Sequence, residues 1–138
     1  MYPDKVNKLI LFASNCGGKE AIRATPDATK NMTEIFKVGE QSNRYPSLIA
    51  SLLFPKKWIE ENPNYLQKLK SKESVSLPNL QRQIEAGYTW RGSCDRLSGI
   101  KAPTLVIVGS DDIVTPQANS LILAQKNPWL VQIKGGGT

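Results

Sequence analysis

The sequence predicts an α/β fold, a short parallel sheet interrupted by a helical insertion. Three observations carry that expectation. Residues 6–13 (Val-Asn-Lys-Leu-Ile-Leu-Phe-Ala) form a near-continuous apolar run of strand length, the pattern of a strand buried on both faces. Residues 103–133 read strand, amphipathic helix, strand, an order that argues for a parallel pair joined by a right-handed crossover. Between them, from Pro26 to Trp90, β-branched runs vanish and helical pieces alternate with proline punctuation. Connections within parallel sheets are usually a few residues and one helix, so a stretch this long reads as an insertion.

The elements follow in order. Residues 1–4 read as a helix tail or loop, and 6–13 as the first strand. Ser14-Asn15-Cys16-Gly17-Gly18 breaks the apolar pattern with turn residues, so the backbone leaves the sheet here. Four or five short helices follow, divided at Tyr45-Pro46, Phe54-Pro55, Asn62-Pro63 and Leu77-Pro78. Thr29 is placed to cap a helix through Ile35 and Phe36, and Pro55 to occupy the first turn of a helix carrying Trp58 and Ile59. Asn62-Pro63 ends that helix and starts another with Tyr65, Leu66 and Leu69 on one face. A last helix begins at Ser76 or Pro78, with Leu80, Ile84 and Tyr88 recurring at helical spacing, a stripe suited to packing. The sheet resumes with 103–109, an amphipathic helix over 116–126 carries Ala118, Leu121, Ile122 and Ala124, and 129–133 is a second short strand.

Composition narrows the chemistry. The chain has 138 residues, 40% hydrophobic and 22% charged, room for one modest globular domain or part of a larger one. Its apolar runs fall far short of the roughly 18–20 residues a membrane helix needs, and the polar Met-Tyr-Pro-Asp-Lys start is unlike a signal peptide. Cys16 and Cys94 make no disulfide framework and lack metal-ligand spacing, which fits a reducing, cytoplasmic setting. The chain contains no histidine, the usual general base and zinc ligand, so any chemistry of that kind must be completed by groups outside it. The net charge of +6 raises nucleic-acid binding, but the lysines of 56–73 are mixed with glutamates and no binding motif accompanies them.

The informative segment is 100–116, Ile-Lys-Ala-Pro-Thr-Leu-Val-Ile-Val-Gly-Ser-Asp-Asp-Ile-Val-Thr-Pro. An acidic pair stands just past the carboxyl end of a buried strand, where open α/β sheets place ligand-binding and catalytic groups. Taken alone, Asp111 and Asp112 serve either there or as a cap for the helix that follows.

The surrounding pattern resembles the seventh-strand region of the α/β-hydrolase superfamily: Leu97 and Ile100 lead in, then come Pro103-Thr104-Leu105-Val106-Ile107, Gly109, Asp112 three residues on, and Pro116 four beyond that. The resemblance covers nearly the whole chain. Tyr2-Pro3-Asp4-Lys5-Val6 with 9–13 and Ser14 looks like the entry into strand six, and the helical middle looks like the cap between strands six and seven, with Gln83 and Ala86 matching its end. Residues 124–128 lead into strand eight and then Lys134-Gly135-Gly136-Gly137-Thr138, similar to the Gly-rich turn that precedes the family's catalytic histidine. On this resemblance the chain divides into 1–25 (strand six and its loop), 26–95 (helical cap) and 96–138 (strands seven and eight), a partial α/β-hydrolase fold.

What the resemblance implies is a Ser-Asp-His triad in which Asp112, and not Asp111, holds the histidine tautomer and stabilises the imidazolium. The elbow G-x-S-x-G has no counterpart in this sequence. Gly92-Ser93-Cys94 is its nearest imitation, but Asp95-Arg96 follows and no strand precedes it; without a histidine, neither cysteine has a base to make it a nucleophile. The expectation is therefore a portion of a serine hydrolase of the acyl or ester type, stopping just short of the histidine and inactive alone. No metal or organic cofactor is implied. Phe36, Leu52, Phe54, Trp58 and Trp90 are candidates to line a pocket for a small-molecule substrate, or serve equally to hold the cap together. The alternative is a non-catalytic interaction module derived from such a hydrolase. Strand six would have lost its usual neighbour, strand five, so its open edge predicts self-association or strand exchange.

Overall fold

In a computed structural model of the chain, described over residues 3–39, 41–65, 77–125 and 128–138, the sheet has three parallel strands in the order β1 (Leu9–Phe12), β2 (Thr104–Gly109), β3 (Trp129–Ile133). The register runs from Leu9 opposite Thr104 to Phe12 opposite Ile107, and from Leu105 opposite Trp129 to Gly109 opposite Ile133. The helix between β2 and β3 is α5 (Ala118–Ala124); it begins later than the residue 116 expected because the chain enters it through a turn in which Asn119 N–H bonds to the Pro116 carbonyl, and Lys126, the expected end, lies outside the described residues. β1 is likewise shorter than 6–13; Val6, Asn7 and Lys8 remain outside the ladder.

The core lies on one face of the sheet. Val106 and Cys16 are buried with Leu123 of α5, and Leu11, Ile122, Cys94 and Leu97 pack against them. The opposite face is open, which corrects the expectation that β1 is covered on both sides: Ile10 is 64% exposed, Phe12 53% and Trp129 73%. Ile10, Leu105 and Trp129 stand in register, as do Phe12, Ile107 and Val131, so these residues share that face. The sequence placed apolar side chains on both sides of the strand, but among the described residues only α5 and the turn at Cys94–Gly99 cover the sheet, and they share the other side.

Between β1 and β2 the chain forms α1 (Pro26–Val38), α2 (Tyr45–Leu53), α3 (Lys56–Glu61) and α4 (Leu77–Thr89). The cap of α1 is Thr25, whose hydroxyl accepts from Ala28 N–H at 3.2 Å, and not Thr29 as expected. Pro26 explains the shift: its missing N–H and fixed φ suit the first helical position, so the cap must sit just before it. Asp27 in the first turn and Lys37 in the last complement the helix dipole. α1 and α2 pack against each other, Ala28 of α1 and Ala50 of α2 are fully buried, and Asn31 donates to Ser51 Oγ at 2.9 Å between the two helices. Pro55 caps α3 from just outside its first turn, and Asn62 ends it as expected. The stripe through Leu66 and Leu69 and the proposed start at Ser76 lie outside the described residues. Among the described residues no helix is long and apolar enough to cross a membrane.

One expectation about the cysteines is overturned. Cys16, just past β1, and Cys94, at the start of the turn that leads to β2, are joined as a disulfide with their Cα atoms 5.1 Å apart, although 78 residues separate them in sequence. Spacing gave no hint of this because it is the fold that returns the end of the insertion to its beginning. Cysteine usage therefore no longer argues for a reducing compartment.

Candidate active site

The loop after β2 is a knot of short-range hydrogen bonds at the carboxyl end of the central strand. Asp112 is 5% exposed, and its Oδ1 accepts from the N–H groups of Val114 (3.0 Å) and Thr115 (2.6 Å) and from the Thr138 hydroxyl. Such an Asp turn fixes the carboxylate through its own backbone, so the side chain cannot swing to solvent. The other oxygen, Oδ2, is buried and has no hydrogen-bond partner among the described residues. A buried carboxylate oxygen without a donor is costly, and native structures rarely leave one so.

Asp111 differs in each respect. It is exposed and accepts from Ser110 Oγ at 2.7 Å, while its N–H bonds to the Gly136 carbonyl at 2.9 Å. The two aspartates, equivalent as an acidic pair in sequence, are thus divided by the fold: one carboxylate faces water, the other is held inside.

The turn after β3 completes this arrangement. Gly135 N–H donates to Ser110 Oγ at 2.8 Å, and Gly136 and Gly137 lie against Gly109 so closely that a Cβ on Gly109 would run into both of their carbonyl groups. Gly137 in turn meets the Leu53 carbonyl and the Pro55 ring, so the turn is layered between the end of β2 and the α2–α3 junction of the insertion. The Asp112 loop and the segment ending at Thr138 are therefore one structural unit, although 26 residues separate Asp112 from Thr138.

The aromatic candidates do not converge on one place. Phe54 and Trp58 stack with centroids 4.2 Å apart, and Tyr65 meets both edge-on at 5.3 and 5.0 Å, a ring cluster that fastens the α2–α3 junction. Leu52 is half-buried on α2, and Phe36 is 41% exposed on α1. Trp90, 47% exposed, lines a separate groove of about 800 Å³ between the loop after β1 and the end of α4. Val114 also lines that groove, and its N–H is bonded to Asp112, so the groove reaches the aspartate loop. Ser93 is engaged in structure: its N–H and hydroxyl both bond to the Cys16 carbonyl, at 2.7 and 3.3 Å.

One buried polar residue at this end was missed from sequence. Asn119, 1% exposed, clasps the main chain of Ile22, accepting from its N–H at 2.8 Å and donating to its carbonyl at 2.9 Å. It ties the loop after β1 to α5. An asparagine in the first turn of a helix reads as a local cap, and nothing local marks a partner 97 residues away.

Comparison with known proteins follows the same architecture. The chain is similar to a thermophilic esterase from Thermogutta terrifontis (22% identity, TM-score 0.64), covering 99% of this chain and 50% of that one. It is also similar to the putative non-heme bromoperoxidase BpoC from Mycobacterium tuberculosis (22% identity, TM-score 0.69; 98% and 52%). A third similar structure is that of Est816, an N-acyl homoserine lactone degrading enzyme (27% identity, TM-score 0.63; 99% and 52%). Among curated proteins, the putative carbamate hydrolase RutD from Azorhizobium caulinodans is 32% identical over 79 residues, 55% of this chain and 29% of that protein. No protein-family model matches. The chain thus spans about half the length of the solved structures it resembles, and the match to the curated relative takes in less than a third of that protein.

Proposed function

This chain carries part of an α/β-hydrolase fold, about half of the solved structures it matches, and from that premise we propose that it is the cap-bearing portion of a serine hydrolase of the acyl or ester type, with Asp112 as the acidic member of the triad. The observation that carries the proposal is the buried, unpartnered Oδ2 of Asp112. Oδ1 is held by backbone and by Thr138, so the carboxylate is fixed in direction and keeps one oxygen for an incoming N–H. An imidazole Nδ1–H is a donor that fits this oxygen.

In this reading the serine and histidine lie outside residues 1–138, which contain no histidine and no G-x-S-x-G elbow. The serine hydroxyl gives its proton to the imidazole as its oxygen bonds to the carbonyl carbon of the substrate. Asp112 stabilises the imidazolium, which then protonates the leaving group as the acyl bond breaks. Water reverses the sequence and releases the acid. No metal or organic cofactor enters these steps.

Sequencing the source gene on both sides of the segment is the first test. An elbow serine upstream and a histidine soon after Thr138 support the reading; their absence from the encoded protein defeats it. In the protein extended to include both, Asp112→Asn should lower kcat for p-nitrophenyl acetate by roughly 10³–10⁴-fold with little change in KM and an unchanged circular dichroism spectrum. A folded variant with undiminished kcat removes Asp112 from the triad.

The open sheet face favours a second reading, an interaction module that self-associates through β1. Ile10 and Phe12 are exposed on a strand whose outer edge has no partner among the described residues. Molar mass that rises with concentration supports it.

A further inference from the structure

We propose that the groove between the loop after β1 and the end of α4 binds a carboxylate carried on an aromatic or acyl body. The proposal rests on the reading above only in calling that ligand a substrate.

The groove's charge is one-sided. Lys19, Arg23 and Arg91 line it against one acidic residue, Glu20. None of these three cations has an ion-pair partner among the described residues, whereas Lys37, Arg44, Lys56, Lys57 and Arg96 do. Arg23 stands over the ring of Tyr88, 5.7 Å from its centroid. Among the described residues no hydrogen bond or ion pair takes up the Arg23 guanidinium, so its fork of N–H donors is available to a carboxylate, which it can bind through two parallel hydrogen bonds. Tyr88 and Trp90 supply apolar surface beside the charge, 69% and 47% exposed respectively.

The walls are also held in place. Gly17 has a positive φ of 67°, and any Cβ there would strike the Trp90 ring, so the indole packs directly against bare backbone. The Cys16–Cys94 disulfide and the Ser93 N–H to Cys16 carbonyl bond fasten the same two segments one step away. Asn119 clamps Ile22 at the far side of the loop. A groove of about 800 Å³ is within the size range of small-molecule sites, and walls fixed in advance reduce the ordering cost of binding. Because Val114 lines it, a ligand anchored by its carboxylate on Arg23 extends toward the Asp112 loop.

The test uses the 138-residue chain, with phenylacetate as probe, phenylacetamide as its neutral isostere and the Trp90 indole N–H resonance as reporter. Phenylacetate should bind and shift that resonance, phenylacetamide should bind at least roughly tenfold more weakly, and Arg23→Gln with Arg91→Gln should abolish the difference. Arg96→Gln, outside the groove, should leave binding unchanged. Equal binding of acid and amide, an equal loss in Arg96→Gln, or no phenylacetate binding at all overturns the proposal. The binding test needs neither the serine nor the histidine, and the kinetic test uses an ester with no carboxylate, so a failed kinetic test of Asp112 and a failed binding test of the groove are separate results.

Discussion

A fully buried asparagine needs partners for both ends of its amide, and Asn119 finds them in the main chain of a single distant residue, Ile22. Replacing it by alanine deletes both of these bonds and a third, from the amide to the Pro116 carbonyl at 3.2 Å, and opens a small void beside α5, which should lower stability by about 2 kcal/mol. Asn119→Asp is the sharper test. It keeps the acceptor for Ile22 N–H but sets a carboxylate against the Ile22 carbonyl, so it should cost at least as much as alanine despite its similar shape. Urea denaturation of the three proteins decides it; wild-type stability for Asn119→Asp would show that the clasp contributes nothing. The position of Asp112 just past the end of a buried strand, by contrast, was legible in sequence. The difference is physical: a loop aspartate past a strand end is a local pattern, whereas the Asn119 clasp exists only after two remote segments have met.

At the scale of elements, strands and helices were read where periodicity and proline marked them, and ends were misread where two residues competed for one role. Thr25 and Thr29 are both good caps, and only the demand of Pro26 for the first helical position decides between them. The disulfide could not be read at all, since it depends on β1 and β2 pairing so that the two ends of the insertion lie together. In the chain-entropy account, tying residues 78 apart removes freedom from the unfolded chain equivalent to roughly 4–5 kcal/mol. Reduction, or Cys94→Ser, should therefore lower stability by a similar amount and loosen the helical insertion before the sheet. Urea titrations with and without dithiothreitol check this, and coincident curves would mean that the bridge does not hold the insertion. Because Trp90 and Gly17 adjoin the bridge, the groove should lose its shape in the same step.

For the whole molecule, the near-continuous apolar run of β1 led to the expectation of a strand covered on both faces, and the described residues cover only one. Ile10, Phe12, Leu105, Ile107, Trp129 and Val131 share the open side, and β1 presents beside it an edge that is unpaired among the described residues. A contiguous apolar face of this kind is rare on a monomer, and an unpaired strand edge is a template for pairing. We expect the 138-residue chain to associate through this surface with a second copy of itself, giving a molar mass that increases with concentration in light scattering. Phe12→Lys and Trp129→Lys place charges on the face without touching the Val106–Leu123 core, and each should return the chain to a monomer. Joining the rest of a hydrolase fold to the chain should do the same, since it covers the same face. A wild-type mass that stays monomeric at high concentration would count against self-association, and a dimer unaffected by either lysine would place the contact elsewhere, on the helical insertion rather than on the sheet.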